Sequence, residues 1–299
     1  MKLCGKEIGK DKPTYIIAEI GINHNGDFDT AKCLIDKAKE CGVDCVKFQK
    51  RHLPSIYKPE VLANPHIHSI GLSVYIPVLK QMEFTIEQHF ELKEYCKDIN
   101  IDYLCTPFDI VSAKELESIN VAFYKIGSIN MANMPLLDYI ANTNKPLLVS
   151  TGMHTYNDIE RIDMYLWNKK IDYAFMHCVS TYPVDFKDVN LNAMLALKEL
   201  HEPVGYSGHE RGIEISVCAV AIGASIIERH FTLDRTQKGL DHACSLEPEG
   251  LRRMCEHIRM LELARGDGVK KITRGEQIVR ESLGGEALCI GDSKAVSMT

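Results

Sequence analysis

Eight short runs rich in β-branched, aromatic and other apolar residues recur along the chain, and each ends in polar residues or glycine. They lie at 15–21, 45–49, 103–107, 123–128, 147–152, 173–178, 204–208 and 226–231. Several intervening segments place apolar residues on one helix face, as do Ala31, Leu34, Ile35 and Ala38. Strands that alternate with helices are typical of parallel βα units, and eight units predict an α/β fold of the (β/α)8 TIM-barrel type.

The alternative architecture, a doubly wound open sheet, is disfavoured by the first turn between strand and helix. A nucleotide-binding sheet carries a glycine-rich phosphate loop there, whereas residues 21–26 read Gly-Ile-Asn-His-Asn-Gly and lack the GxGxxG pattern. An amphipathic helix at about 249–264 is expected to complete the barrel wall. We therefore predict a barrel domain over 1–269 and a tail over 270–299 that is too short for a second core.

Charge and cysteine content narrow the classes of partner and compartment. The formal charge is 35 − 41 = −6, which predicts no nucleic-acid partner and no anionic-membrane partner, because both are bound through a surplus of lysine and arginine. The 11 cysteines include no CxxC pair and indicate reduced thiols. Neither a signal-peptide pattern nor a bilayer-spanning apolar run is present, so a cytoplasmic protein is expected.

The connection after the second strand is unusually long. It runs from Lys50 to Glu83 and carries His52 and His66 among several prolines. Long loops of this kind often cover active sites, so we interpret it as a mobile loop over the site. A tolerated surface excursion is the alternative.

Polar residues collect at the predicted carboxyl ends of the strands, which in a barrel form the active face. They are Glu19, Asn23, Lys47, Gln49, Thr106, Lys125, Ser128, Ser180, Tyr182, Ser207, His209, Glu228 and His230. Two lysines and several hydroxyls at one mouth predict a receptor for an oxygen-rich anion. From their positions, Asn23 and Gln49 are assigned to substrate binding.

Four residues at this mouth suggest particular chemistry. His209 and His230 end neighbouring strands and could bring two imidazoles to one divalent cation while leaving positions open for substrate. Lys125 also permits a rival reaction, because a desolvated lysine can form a Schiff base with a carbonyl substrate. Glu19 admits three roles: general base, contact to sugar hydroxyls, or structural hydrogen-bond acceptor.

These residues also carry a family resemblance that spans nearly the whole chain in order. The matching stretches are AEIGINHNGD (18–27), VKFQ (46–49), TPF (106–108), YKIGS (124–128), STGM (150–153), HCVSTYP (177–183), GYSGHE (205–210) and ERHFTLDRTQKGLDHACSLEP (228–248). The chain resembles the sialic acid synthase family, which includes bacterial N-acetylneuraminate synthases.

The resemblance implies a reaction. The family joins phosphoenolpyruvate to the open-chain aldehyde of an N-acyl-mannosamine-type sugar, giving a sialic (nonulosonic) acid and inorganic phosphate on a TIM barrel. It also implies a divalent metal, commonly Mn²⁺, with Mg²⁺ or Co²⁺ as alternatives, and a homodimer. The expected partners are therefore phosphoenolpyruvate and an amino-sugar acceptor.

The resemblance also implies roles for individual residues. His209 and His230 would bind the metal, and Glu19 and Asp241 would face the acceptor sugar or the attacking water, with Tyr182 lining that side. Catalytic roles would fall to Glu19, Lys47, Lys125 and Asp241. The residues that would hold phosphoenolpyruvate are Lys47, Thr106, Lys125, Ser128, Ser207 and Ser180, the last replacing a residue that is often asparagine.

Two departures from the family concern the acceptor. Family members usually carry a C-terminal domain resembling antifreeze proteins that contributes an arginine to acceptor binding, and this sequence stops where that domain would begin. Ile129 and Asn130 stand where the family commonly has glycine and an acidic residue. Three alternatives therefore stay open: a related synthase using another aldose or aldose phosphate, a lysine-dependent aldolase, and a non-catalytic sugar-phosphate-binding barrel.

Overall fold

The computed structural model describes residues 1–283, apart from the side chain of His68. It confirms the predicted TIM-barrel fold, with eight parallel strands surrounded by helices. A two-stranded antiparallel hairpin, β1 (Lys2–Leu3) and β2 (Lys6–Glu7), precedes them. The barrel strands are β3 (Tyr15–Gly21), β4 (Cys45–Lys50), β5 (Asp102–Pro107), β6 (Tyr124–Ile126), β7 (Leu147–Ser150), β8 (Tyr173–Cys178), β9 (Val204–Gly208) and β10 (Ile226–His230).

The strand order shows how the sheet closes. It runs β5-β4-β3-β10-β9-β8-β7-β6, so that the last strand of the chain, β10, pairs with the first, β3. Ladders of hydrogen bonds join every neighbouring pair in this order. Strands β5 and β6 lie side by side and complete the circle.

Helices follow the strands around the barrel, and several begin at a capping side chain. The carboxylate of Asp27 accepts from the backbone N–H of Thr30, and Thr85 and Thr155 each form a capping box. The helices are α1 (Phe28–Glu40), α2 (Leu53–Ile56), α3 (Pro59–Ala63), α4 (Pro65–His68), α5 (Ile70–Met82), α6 (Ile86–Asp98), α7 (Ile110–Ser118), α8 (Met134–Ala141), α9 (Tyr156–Lys169), α10 (Phe186–Val189), α11 (Leu191–Leu200), α12 (Glu214–Ala221), α13 (Pro248–Arg265) and α14 (Arg274–Ser282).

The inside of the barrel changes from apolar to polar at one level. Alternate residues of a strand face the same side, so Ile17 and Glu19 of β3 both point inward, as do Cys45 and Lys47 of β4. The lower, apolar residues form one cluster with Leu3 and Ile8 of the N-terminal segment. The polar residues therefore stand above a packed floor, at the carboxyl ends of the strands.

The connection between β4 and α6, which the sequence predicts to be a mobile loop over the site, contains four helices. It contains α2, α3, α4 and α5, and the first three have proline in their first turn, where the missing N–H costs nothing. Leu53, Leu79 and Met82 pack with Ile22 into a small core of their own. The helices of this connection therefore pack together beside the mouth of the barrel.

The compact unit that contains the barrel is Met1–Glu262, and residues 263–283 belong to a separate unit that includes α14. The expected final helix is present as α13. Residues 284–299 of the predicted tail lie outside the described residues. Within residues 1–283, no helix combines the length and apolarity needed to cross a membrane.

Two buried histidines are expected to make stability depend on pH. Burial lowers the pKa of His24 from 6.5 to about 4 and the pKa of His89 from 6.5 to about 3. As the pH falls, the unfolded chain therefore binds these protons before the folded protein does. The contribution of the two histidines to the free energy of unfolding is full above pH 6.5 and is lost as the pH decreases toward their folded-state pKa values. At pH 5 each histidine is expected to lower the free energy of unfolding by about 2 kcal/mol.

Urea unfolding at pH 7 and pH 5 measures this effect. The His89→Gln variant removes one titrating group and should lose a smaller share of its stability between the two pH values than the unaltered protein. Equal losses in the two proteins would assign the acid sensitivity to other groups.

Candidate functional site

A cavity of about 400 Å³ opens at the carboxyl ends of the barrel strands. Its lining contains twelve of the thirteen site residues predicted from the sequence: Glu19, Lys47, Gln49, Thr106, Lys125, Ser128, Ser180, Tyr182, Ser207, His209, His230 and Asp241. The volume lies within the range of small-molecule sites in proteins. The barrel thus brings side chains from every strand end into one chamber.

Lys47 lies at the centre of a buried charge network. Its ammonium group is 2.8 Å from Oε2 of Glu19 and 3.5 Å from Oε1 of Glu228, and it donates to the hydroxyl of Thr106 at 3.1 Å. The carboxylates raise the pKa of Lys47 against burial, the largest influence, which lowers it. Lys47 therefore stays protonated between two carboxylates.

Lys125 shares Glu228 with Lys47. Its ammonium group is 3.4 Å from both carboxylate oxygens of Glu228 and donates to the hydroxyl of Ser150 at 2.6 Å. Burial raises the pKa of Glu228, but the two lysines outweigh it and hold this pKa well below its usual range, at about 2. Burial lowers the pKa of Lys125. Glu228, which also accepts from Ser207 at 3.2 Å, is the ionised centre of this group.

Glu19 is held by a chain of side chains that leads to the edge of the cavity. Gln49 donates to Oε1 of Glu19 at 2.6 Å, and Arg51 in turn donates to the amide oxygen of Gln49. The Arg51 guanidinium stacks on the ring of Phe108, 3.7 Å from its centre, and its other neighbour is Glu83. This chain fixes which way the Gln49 amide faces, and therefore how Glu19 is oriented.

Burial decides the protonation of Glu19. The pKa of this carboxyl group is raised, first by burial, while Lys47 acts in the opposite direction. A carboxyl group whose pKa is raised by burial and which has a lysine partner is suited to exchange a proton.

Hydroxyl groups gather on the opposite wall. The hydroxyl of Ser128 accepts from the backbone N–H of Gly152 at 3.1 Å and lies 3.6 Å from the thiol of Cys178. Ser180 approaches the same thiol at 3.9 Å. These small donors, together with Lys125, form a surface suited to the oxygens of a phosphate or carboxylate.

The absence of a side chain at Gly152 keeps this wall open. A Cβ atom there would lie 2.3 Å from the hydroxyl of Ser180 and 2.8 Å from that of Ser128. We expect Gly152→Ala to displace both hydroxyls and to raise the KM for an anionic substrate by about 10–100-fold. The matched control is Gly127→Ala, whose Cβ would meet only Thr106 at 3.9 Å. Steady-state kinetics on both variants measures the effect, and equal KM values would exclude this wall from substrate binding.

His209 and His230 lie together, with ring centres 5.4 Å apart. Nδ1 of His209 donates to the carbonyl of Val179 at 2.8 Å, so in the neutral imidazole it is Nε2 that carries the lone pair for a ligand. Nδ1 of His230 is buried without a hydrogen-bond partner and lies 3.8 Å from a carboxylate oxygen of Asp241. Burial, the largest influence, lowers the pKa of His230, so its imidazole is neutral.

This pair fits a divalent cation. A buried imidazole nitrogen without a partner is a group that a metal would satisfy, and a fixed tautomer is typical of a ligating histidine. Across the described part of the chain, no group of three or more His, Cys, Asp and Glu side chains is spaced to hold a metal. The protein would thus offer an open site of the catalytic kind, which substrate and water would complete.

Asn23 is the predicted site residue that the cavity does not include. Its side-chain amide donates to the carbonyl of Phe231 and to the hydroxyl of Ser245, both at 2.9 Å. These bonds give Asn23 a structural role, in which it connects the loop after β3 to the chain after β10.

Sequence reasoning left two charged cavity residues without a role. Glu228 was placed at a strand end but given no function, and Arg51 was passed over. Both follow the inward alternation of a strand, since Arg51 continues Lys47 and Gln49 at a spacing of two, and Glu228 precedes His230 by two. That periodicity was the signal available for finding them.

Comparison with known proteins gives a consistent picture. The NeuB family model matches residues 34–270. The chain is 39% identical over 289 residues to N-acetylneuraminate-9-phosphate synthase of Homo sapiens, covering 95% of this chain and 80% of that protein. It is 40% identical over 282 residues to N,N'-diacetyllegionaminic acid synthase of Campylobacter jejuni, covering 91% of this chain and 84% of that protein.

A solved structure matches the fold closely. The crystal structure of N-acetylneuraminic acid (sialic acid) synthetase from Leptospira borgpetersenii, determined in complex with citrate, aligns with a TM-score of 0.83 and 34% identity. The alignment covers 95% of this chain and 96% of that chain.

Proposed function

The chain belongs to the NeuB family of sialic and related nonulosonic acid synthases, and on that premise we propose that it condenses phosphoenolpyruvate with an N-acyl-mannosamine-type aldehyde. It is an enzyme of a family that forms carbon–carbon bonds. In the proposed reaction, the methylene carbon of phosphoenolpyruvate bonds to the aldehyde carbon, water adds at the enol carbon, and inorganic phosphate leaves.

One observation carries this proposal: two buried lysines flank a single carboxylate at the base of the cavity, with hydroxyls bonded to each of them. Lys47 contacts Thr106, Lys125 contacts Ser150, and Glu228 lies between the lysines. Charge-assisted donors in a water-poor chamber bind phosphate and carboxylate oxygens strongly. Phosphoenolpyruvate carries both groups and would occupy this base.

The outer part of the cavity supports an N-acylated acceptor. Ile129, Met153 and Leu240 line it beside the polar groups of Arg51 and Asp241. Apolar side chains suit an acyl methyl group, while the polar ones suit sugar hydroxyls. Asn130 takes no part, because its amide donates to the carbonyl of Phe108 at 3.2 Å. The departure from the family at residues 129–130 thus places an apolar side chain, Ile129, at the acceptor side.

His209 and His230 would hold a divalent metal, with Mn²⁺ the expected ion, and Asp241 faces His230 at 3.8 Å. Such an ion, when bound, acts as a Lewis acid that polarises a carbonyl oxygen.

The remaining chemistry falls to the residues of the chain. Lys47 and Lys125 would hold the phosphate and carboxylate of phosphoenolpyruvate and offset the charge of the departing phosphate. Glu228 keeps both ammonium groups in place. Glu19, oriented by Gln49 and 2.8 Å from Lys47, would accept the proton of the attacking water.

A Schiff-base aldolase is the second candidate, and one observation favours it. Burial lowers the pKa of Lys125, which brings its amine closer to the neutral, nucleophilic form. Borohydride treatment in the presence of a keto acid would trap a covalent adduct on Lys125 if this reaction occurred. A metal-dependent synthase gives no such adduct.

Phosphate release from phosphoenolpyruvate tests the proposal. The protein is stripped of metal, Mn²⁺ is added back, and the acceptors are N-acetylmannosamine, its 6-phosphate, mannose, arabinose 5-phosphate and none. Release that requires both Mn²⁺ and an acyl-mannosamine supports the proposal. Release only with another aldose reassigns the acceptor, and binding of phosphoenolpyruvate without release supports a non-catalytic barrel.

A further inference from the structure

The hydrogen-bond ladders of the barrel sheet hold one of the two proposed metal-binding histidines but not the other. His230 is paired with Glu19 in the ladder between β10 and β3. His209 lies one residue beyond β9, whose ladders end at Gly208 on the β10 side and at Ser207 on the β8 side. Strand pairing therefore fixes the backbone of His230, whereas His209 lies outside the ladders.

A completely buried ion pair stands directly behind them. Arg229, next to His230, and Glu210, next to His209, are both wholly buried, and their charged groups are 2.9 Å apart. Because alternate residues of a strand face opposite sides, this pair lies on the outer surface of the barrel wall while the histidines face the cavity. The pair thus links the two strand ends just where their ladder stops.

Arg229 binds the main chain of this segment as well as the carboxylate. One guanidinium nitrogen lies 2.9 Å from Oε1 of Glu210, from the carbonyl of Gly212 and from the hydroxyl of Ser216, which belongs to α12. The other donates to the carbonyl of Glu210 itself at 2.6 Å. Arg229 therefore fixes the path of the chain that leaves His209.

Two further features fit Glu210 into its place. Its second carboxylate oxygen accepts from the hydroxyl of Tyr206 at 2.6 Å. Gly208 leaves room for the carboxylate, since a Cβ atom there would lie 2.7 and 2.9 Å from its two oxygens. A buried ion pair is a weak source of stability, and well-packed apolar residues often replace one without loss. The role of this ion pair is therefore to hold the adjoining residues in position.

We propose that Arg229 and Glu210 are positioning residues that set the separation of His209 and His230, and hence the affinity of this pair for a divalent cation. The inference rests on the proposed function in one respect, that the histidines bind a metal. Residues that orient metal ligands from behind typically change affinity by about 10–100-fold when removed.

Binding of Mn²⁺ to the metal-stripped protein, followed by the loss of the free-ion electron paramagnetic resonance signal, tests the proposal without any turnover. The variant Arg229→Met with Glu210→Leu removes both charges and leaves neither unpaired. We expect its dissociation constant for Mn²⁺ to rise by about 10–100-fold. Glu210→Gln keeps the size and an acceptor for Tyr206, and although it leaves the Arg229 charge without a counter-ion and should lower stability, the folded variant should show a smaller rise.

The matched control breaks a comparable arginine network at the opposite end of the barrel. Arg259 binds the carbonyl of Thr14 and the carboxylate of Asp44, both just before strands begin. Arg259→Met should change thermal stability but leave Mn²⁺ affinity within twofold. If the unaltered protein binds Mn²⁺ and the folded Arg229 and Glu210 variants bind it equally well, the positioning role is wrong. If the unaltered protein binds no Mn²⁺, the metal site itself is wrong and the inference is overturned with it.

Discussion

Replacing Lys47 with methionine is expected to lower phosphate release by about 10³-fold, one of the two largest effects expected in the cavity. Lys47 is the cation between Glu19 and Glu228, at 2.8 and 3.5 Å. Without it, the two carboxylates face each other in a buried site, and the pKa of Glu19 rises further. The variant thus loses a ligand of phosphoenolpyruvate and leaves its proposed proton acceptor protonated.

Lys50→Met is the matched control. Lys50 lies three residues further along β4, is also buried, and pairs with Glu115 at 3.2 Å, on the opposite face of the strand from the cavity. It should retain phosphate release within a fewfold range. Circular dichroism establishes that both variants are folded. Comparable activity in the Lys47 and Lys50 variants would remove Lys47 from the reaction.

Replacing either cavity histidine with alanine is expected to abolish the activation by Mn²⁺. Metal stabilisation of a polarised oxygen contributes several kcal/mol, so turnover should fall by about 10³-fold. The ring centres of the two histidines are 5.4 Å apart. The imidazole of His230 is buried and neutral. Titration of His209→Ala and His230→Ala with Mn²⁺, read as phosphate release, should show no recovery up to millimolar metal.

His201→Gln provides the comparison for this pair. His201 lies at the other end of the barrel, stacked on Tyr173 with ring centres 3.9 Å apart. Its variant should respond to Mn²⁺ as the unaltered protein does. Full turnover of the two cavity-histidine variants in a chelator would show that the reaction needs no metal at these positions.

Arg51 bears on acceptor specificity more than on mechanism. Arg51 is buried, lines the cavity and has no assigned role in the family resemblance. It is held by stacking on Phe108 and by Glu83, so it presents a fixed guanidinium beside Gln49. The panel of acceptor sugars proposed above therefore tests the specificity of a pocket whose polar outer edge includes Arg51.

Local patterns were enough to predict the architecture. The eight apolar runs appear as β3 to β10, and the helical spacing of Ala31 and Leu34 appears as the buried face of α1. Both patterns express a period, of two residues in a strand and 3.6 in a helix, that a neighbourhood of ten residues contains in full. The helices in the connection after β4 were not predicted, because three of the four are only four or five residues long and carry proline in their first turn.

The family of the chain and the gathering of polar groups at one mouth were likewise determined by the sequence. Parallel strands in a barrel direct all their carboxyl ends to the same face, so Glu19, Lys47 and His230 had to meet once the fold was recognised. No distance is needed for that conclusion, only strand order and direction.

The tertiary structure alone decided how these groups pair. Lys125 and Glu228 are 103 residues apart in the chain, and their contact depends on barrel closure and strand register. Barrel closure also brings Asn23 within hydrogen-bond distance of Ser245. It places Arg229 against Glu210, behind the two histidines. A residue type and its strand position fix which face a side chain occupies, whereas its partner there depends on non-local packing that no short stretch of sequence contains.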